Sequence, residues 1–152
     1  MTLKRNMFLS NYVVNQYPVE KLKEIIFITL DIVETFLLEL EEGFDYDSSS
    51  VASYGEKYGS SKYMGSKIES LYIRNINDEK SMTDFLNTYY KAYNSLNDEE
   101  KNIFDATFID RLTDTEIIDK YKTYSKLITS VRRSAIVRFS IKAGLDKFIN
   151  IV

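Results

Sequence analysis

Four polar side chains between residues 126 and 133 recur at helical spacing: Lys126, Thr129, Ser130 and Arg133. Their positions i, i+3, i+4 and i+7 share one face of a helix. Two of them carry a positive charge and two carry a hydroxyl, so together they can donate hydrogen bonds to phosphate oxygens and to the edges of DNA bases. This set therefore favours the recognition of a polyanion.

The charge around these residues differs from that of the whole chain, which carries −3 over 152 residues. The segment from Lys120 to Lys147 holds eight lysines and arginines and one acid, Asp146, so its net charge is +7 and the remainder carries −10. Such an asymmetry indicates a polyanion-facing end and a separate acidic body. A solvated basic face is the simpler alternative.

Several kinds of chemistry are excluded by composition. The chain has no cysteine and no histidine, which removes disulfides, thiolate and imidazole catalysis and the usual zinc sites. Carboxylate pairs such as Asp45 and Asp47 have no partner group that would assemble an active site, and "GEKYGSSK" lacks the spacing of a phosphate-binding loop. We therefore expect no catalytic residue, no metal ligand, no cofactor and no enzyme.

Membrane insertion and export are not expected either. The longest apolar run, "IIFITL", ends at Asp31, far short of the roughly 20 residues that a membrane span needs. The first residues, "MTLKRNMFLSNYVV", contain no apolar core of a signal peptide. The sequence predicts a cytoplasmic protein with no membrane partner.

An all-α fold is predicted, because the chain has one proline, five glycines and long helical patterns. The clearest helix covers about residues 19–42 and ends before Gly43. Its apolar stripe consists of Leu22, Ile25, Ile26, Ile32, Val33, Phe36, Leu37 and Leu40. Phe27, Ile28, Leu30 and Leu38 fall off that stripe, so either a second layer or another subunit covers the helix. From this we expect a homo-oligomer.

Residues 44–66 are rich in serine, glycine and tyrosine and predict a flexible connection. The repeated "YG" leaves open an aromatic platform for single-stranded nucleic acid. "SKIESLYIRNI" predicts a short helix, and a further helix follows with Met82, Phe85, Leu86, Tyr89 and Tyr93 on one face. Residues 1–95 are thus predicted to form a helical N-terminal region.

Residues 96–152 are predicted to form a helix-turn-helix domain. Asn97 and Glu100 begin one helix, with an apolar face of Ile103, Phe104, Phe108 and Ile109, and Thr113 and Glu116 form the capping box of the next. The last helix opens at Thr123 or Tyr124 and runs to about Gly144. Its inner stripe is Ile128, Val131, Ala135 and Phe139, opposite the four donors.

The stretch "LNDEEKNIF…LTDTEIIDKYKTYSKLITSVRRSAIVRF" resembles the promoter-reading C-terminal domain of bacterial sigma factors. The layout of the chain resembles phage late-gene transcriptional regulators of the RinA and ArpU type. The resemblance implies base-reading positions at Ser125, Lys126, Thr129 and Ser130. It implies DNA-backbone contacts near Tyr124, Arg132 and Arg133, with Lys122 beside them in the turn. Two positions depart from the sigma pattern: Ile118 replaces a small residue, and Lys122 replaces the frequent turn glycine.

The function expected from these features is sequence-specific binding of double-stranded DNA by a transcriptional regulator, an activator of phage late genes in the bacterial host cell. RNA polymerase is expected as a further partner. Two alternatives remain open. One is a phage DNA-packaging adaptor, similar to a small terminase, that assembles into a ring. The other is a sigma-mimicking protein that binds polymerase without binding DNA.

Overall fold

The computed structural model describes residues 8–42 and 78–151, and this part of the chain is all-α, with no strand. The helices, numbered within the described residues, are α1 (Asn11–Val14), α2 (Val19–Glu42), α3 (Glu79–Asn94), α4 (Asp98–Phe104), α5 (Asp114–Tyr121) and α6 (Ser125–Ala143). A π-helical segment, Asp105–Ile109, continues α4, and a 3-10 segment, Leu145–Ile151, follows α6. No described helix is long and apolar enough to cross a membrane. The predicted cap at Gly43, the connection at 44–66 and the short helix after it lie outside the described residues.

Helix α2 has the predicted bounds and is covered by other parts of the same chain. It packs against α3, α6, the π-helical segment and the 3-10 segment. Ile28, which falls off the predicted stripe, is therefore buried, and Phe27 and Leu30 are partly buried against the core. The prediction for Leu37 was wrong, because 41% of this residue is exposed. The homo-oligomer was predicted because apolar residues fall off the stripe, and most of these residues are packed inside the chain. Leu38, at 52% exposed, is the off-stripe residue to which that argument still applies.

Helix α3 confirms the predicted apolar face and adds a polar contact. Met82 and Leu86 are buried, and the rings of Phe85, Tyr89 and Tyr93 pack against them. The Tyr93 hydroxyl lies 2.9 and 2.8 Å from the two carboxylate oxygens of Asp105, to which it donates. Burial and this hydrogen bond raise the pKa of Tyr93, and burial followed by the charge of Asp105 raises the pKa of Tyr89 to about 12. The aromatic residues of this face therefore pack in the core, and Tyr93 also bonds to the π-helical segment.

The π-helical segment changes which residues of the α4 region face inward. The Asp110 N–H donates to the Asp105 carbonyl at 2.8 Å, the i to i+5 spacing of a π-turn. One extra residue per turn rotates the residues that follow it. Ala106, Thr107 and Phe108 are buried, whereas Ile109 is 54% exposed. The predicted inward position of Ile109 was wrong for this reason.

Helix α6 joins two hydrophobic clusters. Its first half supplies Ile128 and Val131 to a smaller cluster that also contains Ile103, Ala106 and Ile117. Its second half enters the main core, which contains Leu22, Met82 and Phe104 together with α6 residues Ala135, Ile136, Val137 and Phe139. Residues from both predicted regions, 1–95 and 96–152, therefore share one core. The helix ends at Gly144, as expected, where the left-handed φ of 72° suits a glycine.

Candidate nucleic-acid interface

The connection between α5 and α6 consists of Lys122, Thr123 and Tyr124. Lys122 has the left-handed φ of 52°, and its N–H caps α5 by donating to the Ile118 carbonyl. Glycine adopts this left-handed backbone conformation without strain, and glycine is the residue that Lys122 replaces relative to the sigma pattern. Ile118 itself is partly buried against the smaller cluster. The two predicted helices and the tight turn between them are confirmed, and the turn contains a lysine in a conformation that disfavours it.

Six of the eight predicted contact residues lie on the surface around the start of α6. They are exposed side chains that form the first turns of the helix and the residues before it: Lys122, Tyr124, Ser125, Lys126, Thr129 and Ser130. Tyr124 is 60% exposed and makes no side-chain cap of α6. The opposite face is buried, with Ile128 at 1% and Val131 at 2% exposure. The inner and outer faces predicted for this helix are thereby confirmed.

Arg133 lies at the edge of this surface and has a partner within the chain. Its Nη2 donates to the Asn15 side-chain oxygen at 2.8 Å. That bond uses one of the five N–H donors of a guanidinium. Arg133 is thus both held in place and able to contact a phosphate.

Arg132 is different, because it is directed into the protein. Its side chain is 14% exposed, and Nη2 forms an ion pair with the Asp114 carboxylate while Nε donates to the Thr107 hydroxyl at 3.1 Å. The hydrogen bond from Arg132 lowers the pKa of Asp114. The guanidinium therefore ties the start of α5 to α6 and to the π-helical segment. Arg132 therefore stabilises the packing of these elements and lies away from the surface on which the resemblance placed it as a DNA-backbone contact.

The basic end is less charged than its sequence suggests. Arg132 pairs with Asp114 and Arg138 pairs with Glu100, and both acids lie outside the segment Lys120–Lys147. Lys120 and Lys122 have longer surface contacts to Asp110 and Asp119, at 3.9 and 3.7 Å, which contribute little. Among the described residues, no acid pairs with Lys126, Arg133, Lys142 or Lys147, and the first two of these lie at the start of α6.

The contacts between the buried side chain of Glu100 and α6 were not predicted from the sequence. Glu100 is fully buried and closes a capping box at the predicted N-cap Asn97 by accepting from the Asn97 N–H at 3.0 Å. It also accepts from the Ser134 hydroxyl at 2.6 Å and pairs with Arg138 Nε at 3.0 Å. Ser134 and Arg138 are four residues apart on one side of α6, which is the signal in the sequence that could have indicated a shared partner.

The chain before α2 also contacts α6, a feature that sequence reasoning missed. The Leu9 N–H donates to the Ser134 hydroxyl at 2.8 Å, so Ser134 links this part of the chain to Glu100. Val14 is 3% exposed and belongs to the main core. Nothing in the local pattern of residues 8–17 marks the hydrogen bond of Leu9, since its partner lies 125 positions away.

The described residues thus place hydroxyls, a lysine and an arginine on one rigid helix face, with its inner side fixed by two clusters. Comparisons of the chain with protein families, with curated proteins and with solved structures found no match.

Proposed function

We propose that this protein is a sequence-specific DNA-binding transcriptional regulator of the type that activates phage late genes. The observation that supports the proposal is the two-sided character of α6. Its first turns expose Ser125, Lys126, Thr129 and Ser130 while Ile128 and Val131 on the other side are buried. A helix held in this way can enter the major groove and present donors to base edges.

In the proposed complex the contacts fall into two classes. Lys126, Thr129 and Ser130 read base edges, because they lie on the outermost face of the first two turns of α6. Lys122, Tyr124 and Arg133 border that face and donate to phosphates, which fixes the position of the protein on the duplex. The mechanism is docking, with no catalytic step, cofactor or metal ion.

The remaining partners of this proposal follow from charge and from the resemblance. The acidic part of the chain faces away from the duplex and contacts RNA polymerase or a second copy of the chain. This would take place in the cytoplasm of the bacterial host. Because the net charge of the whole chain is −3, attraction to DNA depends on the local charge at the start of α6 and not on the total.

The experiment that tests the proposal begins with selection of binding sequences from random duplexes. The parent and the variants Lys126→Ala, Thr129→Ala and Arg133→Ala are then titrated onto selected and random duplexes over a range of salt concentrations. Loss of a base contact should reduce the preference for the selected duplex by about 1–3 kcal/mol. Arg133→Ala should weaken binding to both duplexes and lower the salt slope by about one.

Lys142→Ala is the matched control, because Lys142 is an exposed lysine in the last turn of the same helix. It should bind as the parent does. Parent-like binding of all three interface variants at every salt concentration would refute the proposal. A large ring in light scattering together with binding that ignores DNA sequence would indicate the packaging adaptor instead. Binding to polymerase without binding to DNA would indicate the sigma mimic.

A further inference from the structure

A groove separates the first turns of α6 from residues 8–17. Its volume is about 350 Å³. One wall consists of the α6 residues Lys126, Thr129, Ser130 and Arg133, which are the candidate DNA contacts. The other wall consists of Leu9, Asn11 and Val14. The proposed DNA surface is therefore one side of a groove whose second side comes from the start of the described chain.

This second wall is fixed to the body of the protein. Val14 is buried in the main core and Tyr17 packs against it. The Leu9 N–H donates to the Ser134 hydroxyl, which in turn donates to the fully buried Glu100. If residues 8–17 instead covered the α6 surface and moved away when DNA bound, these buried contacts would have to break. We therefore take this segment as a fixed wall of the groove.

The chemistry of the second wall suits a phosphate-bearing strand. Residues 8–19 contain no charged side chain, so no carboxylate on this wall repels an anion. Asn11 is exposed at the groove and its amide can donate hydrogen bonds. Asn15 accepts from Arg133 at 2.8 Å and so holds that guanidinium at the edge of the groove. The two walls together offer two cations, two hydroxyls and an amide.

We propose that residues 8–17 form the second wall of the DNA site. The sugar–phosphate strand that flanks the major groove passes this groove at Arg133 and Asn11, while Lys126, Thr129 and Ser130 face the base edges. Asn11 donates to a phosphate of that strand, and Asn15 is a positioning residue that orients Arg133 towards the next phosphate. This inference rests on the proposed function and adds a DNA-contacting element that is distant in sequence from the helix-turn-helix.

The test compares Asn11→Ala and Asn15→Ala with Gln16→Ala, using the selected and random duplexes. Gln16 is the control because it is exposed in the same segment and its side chain donates to a neighbouring carbonyl, that of Tyr12, at 3.3 Å. Asn11→Ala should weaken binding to both duplexes equally, by about tenfold to a hundredfold, as expected for one hydrogen bond to a charged phosphate. Its melting temperature should equal that of the parent, since the side chain is exposed.

Asn15 requires a readout that separates positioning from stability. If Asn15 acts through Arg133, the double variant Asn15→Ala/Arg133→Ala should bind no more weakly than Arg133→Ala alone. Asn15→Ala alone should weaken binding less than Arg133→Ala does. Additive losses in the double variant would overturn the positioning role.

Three results would overturn the second wall itself. Parent-like binding by Asn11→Ala, while Lys126→Ala loses its preference for the selected duplex, would leave the proposed function standing and reject the wall. Tighter binding by Asn11→Ala would show that residues 8–17 cover the surface. Binding of poly-glutamate instead of either duplex would identify an acidic protein partner and would reject the proposed function as well.

Discussion

Replacing Glu100 by glutamine tests the buried link between α4, α6 and residues 8–17. The substitution keeps the size of the side chain and removes its charge. In the parent both carboxylate oxygens accept: Oε1 from the Asn97 N–H, and Oε2 from the Ser134 hydroxyl and, at 3.3 Å, from Arg138 Nε, which also lies 3.0 Å from Oε1. A glutamine must place its NH2 group opposite one of these pairs of donors.

The size of the effect follows from burial. Breaking a fully buried ion pair costs about 3–5 kcal/mol, because the remaining charge is left without compensation. Here Glu100 has no exposed side-chain surface, but the Arg138 side chain is 21% exposed and can be partly hydrated. The Ser134 hydroxyl can also rotate and accept from the new NH2 group. Allowing for both, we expect Glu100→Gln to lower the free energy of unfolding by about 2–3 kcal/mol.

Urea titration at neutral pH measures this loss, with Glu99→Gln as the matched control. Glu99 is an exposed acid in the same first turn of α4, so its replacement should cost less than about 0.5 kcal/mol. Amide hydrogen exchange gives a second readout: the Leu9 amide should exchange faster in Glu100→Gln than in Glu99→Gln, because its acceptor Ser134 is no longer fixed. Equal stability of the two variants would refute the structural role assigned to Glu100.

Two further predictions concern the turn and its neighbouring ion pair. Lys122→Gly should raise the free energy of unfolding by about 0.5–1 kcal/mol in urea titration, because glycine adopts the left-handed conformation without strain. The matched Lys120→Gly, within α5, should lower it by about 1 kcal/mol, and a loss in both would contradict this account of the turn. Asp114→Asn should be slightly less stable than the parent at neutral pH, by under about 1 kcal/mol since Asp114 is half-exposed. Because the folded-state pKa of Asp114 is lowered, its contribution is complete above the ordinary value of 3.8 and is lost as the pH falls through the lower folded value. The stability difference should therefore shrink as the pH falls below 3.8, and a difference that stays constant from neutral pH into the acid range would argue against the ion pair with Arg132.

Features with local signals were predictable from the sequence. The N-cap at Asn97 and the capping box at Thr113–Glu116 are confirmed, and so are the bounds of α2 and the end of α6 at Gly144. In each case the residues that determine the feature lie within one turn of it. A periodic pattern also identified the buried stripe of α6, because one continuous face of that helix packs on the protein.

Long-range contacts and irregular turns were not predictable in the same way. The partner of Glu100 on α6 lies 34 positions away and the partner of Leu9 lies 125 positions away, and no period connects such pairs. The π-turn after Phe104 has no composition signal, yet it moved Ile109 to the surface. The count of charges along residues 120–147 overstated the basic surface, since it could not include the acids that Arg132 and Arg138 meet from other helices.

The position of α6 in two clusters has a consequence for the candidate interface. Its first half is fixed by Ile117 and Val131 in the smaller cluster, and its second half by Phe139 in the main core. Because packed cores do not deform gradually, the exposed face of the first turns cannot change orientation unless part of the body repacks. The surface is therefore preformed, and a DNA duplex that meets it need not supply the free energy of ordering this helix. Under the proposed function, substitutions deep in the main core should reduce DNA binding only by lowering the folded fraction, whereas substitutions at Lys126 or Thr129 should reduce it at an unchanged folded fraction.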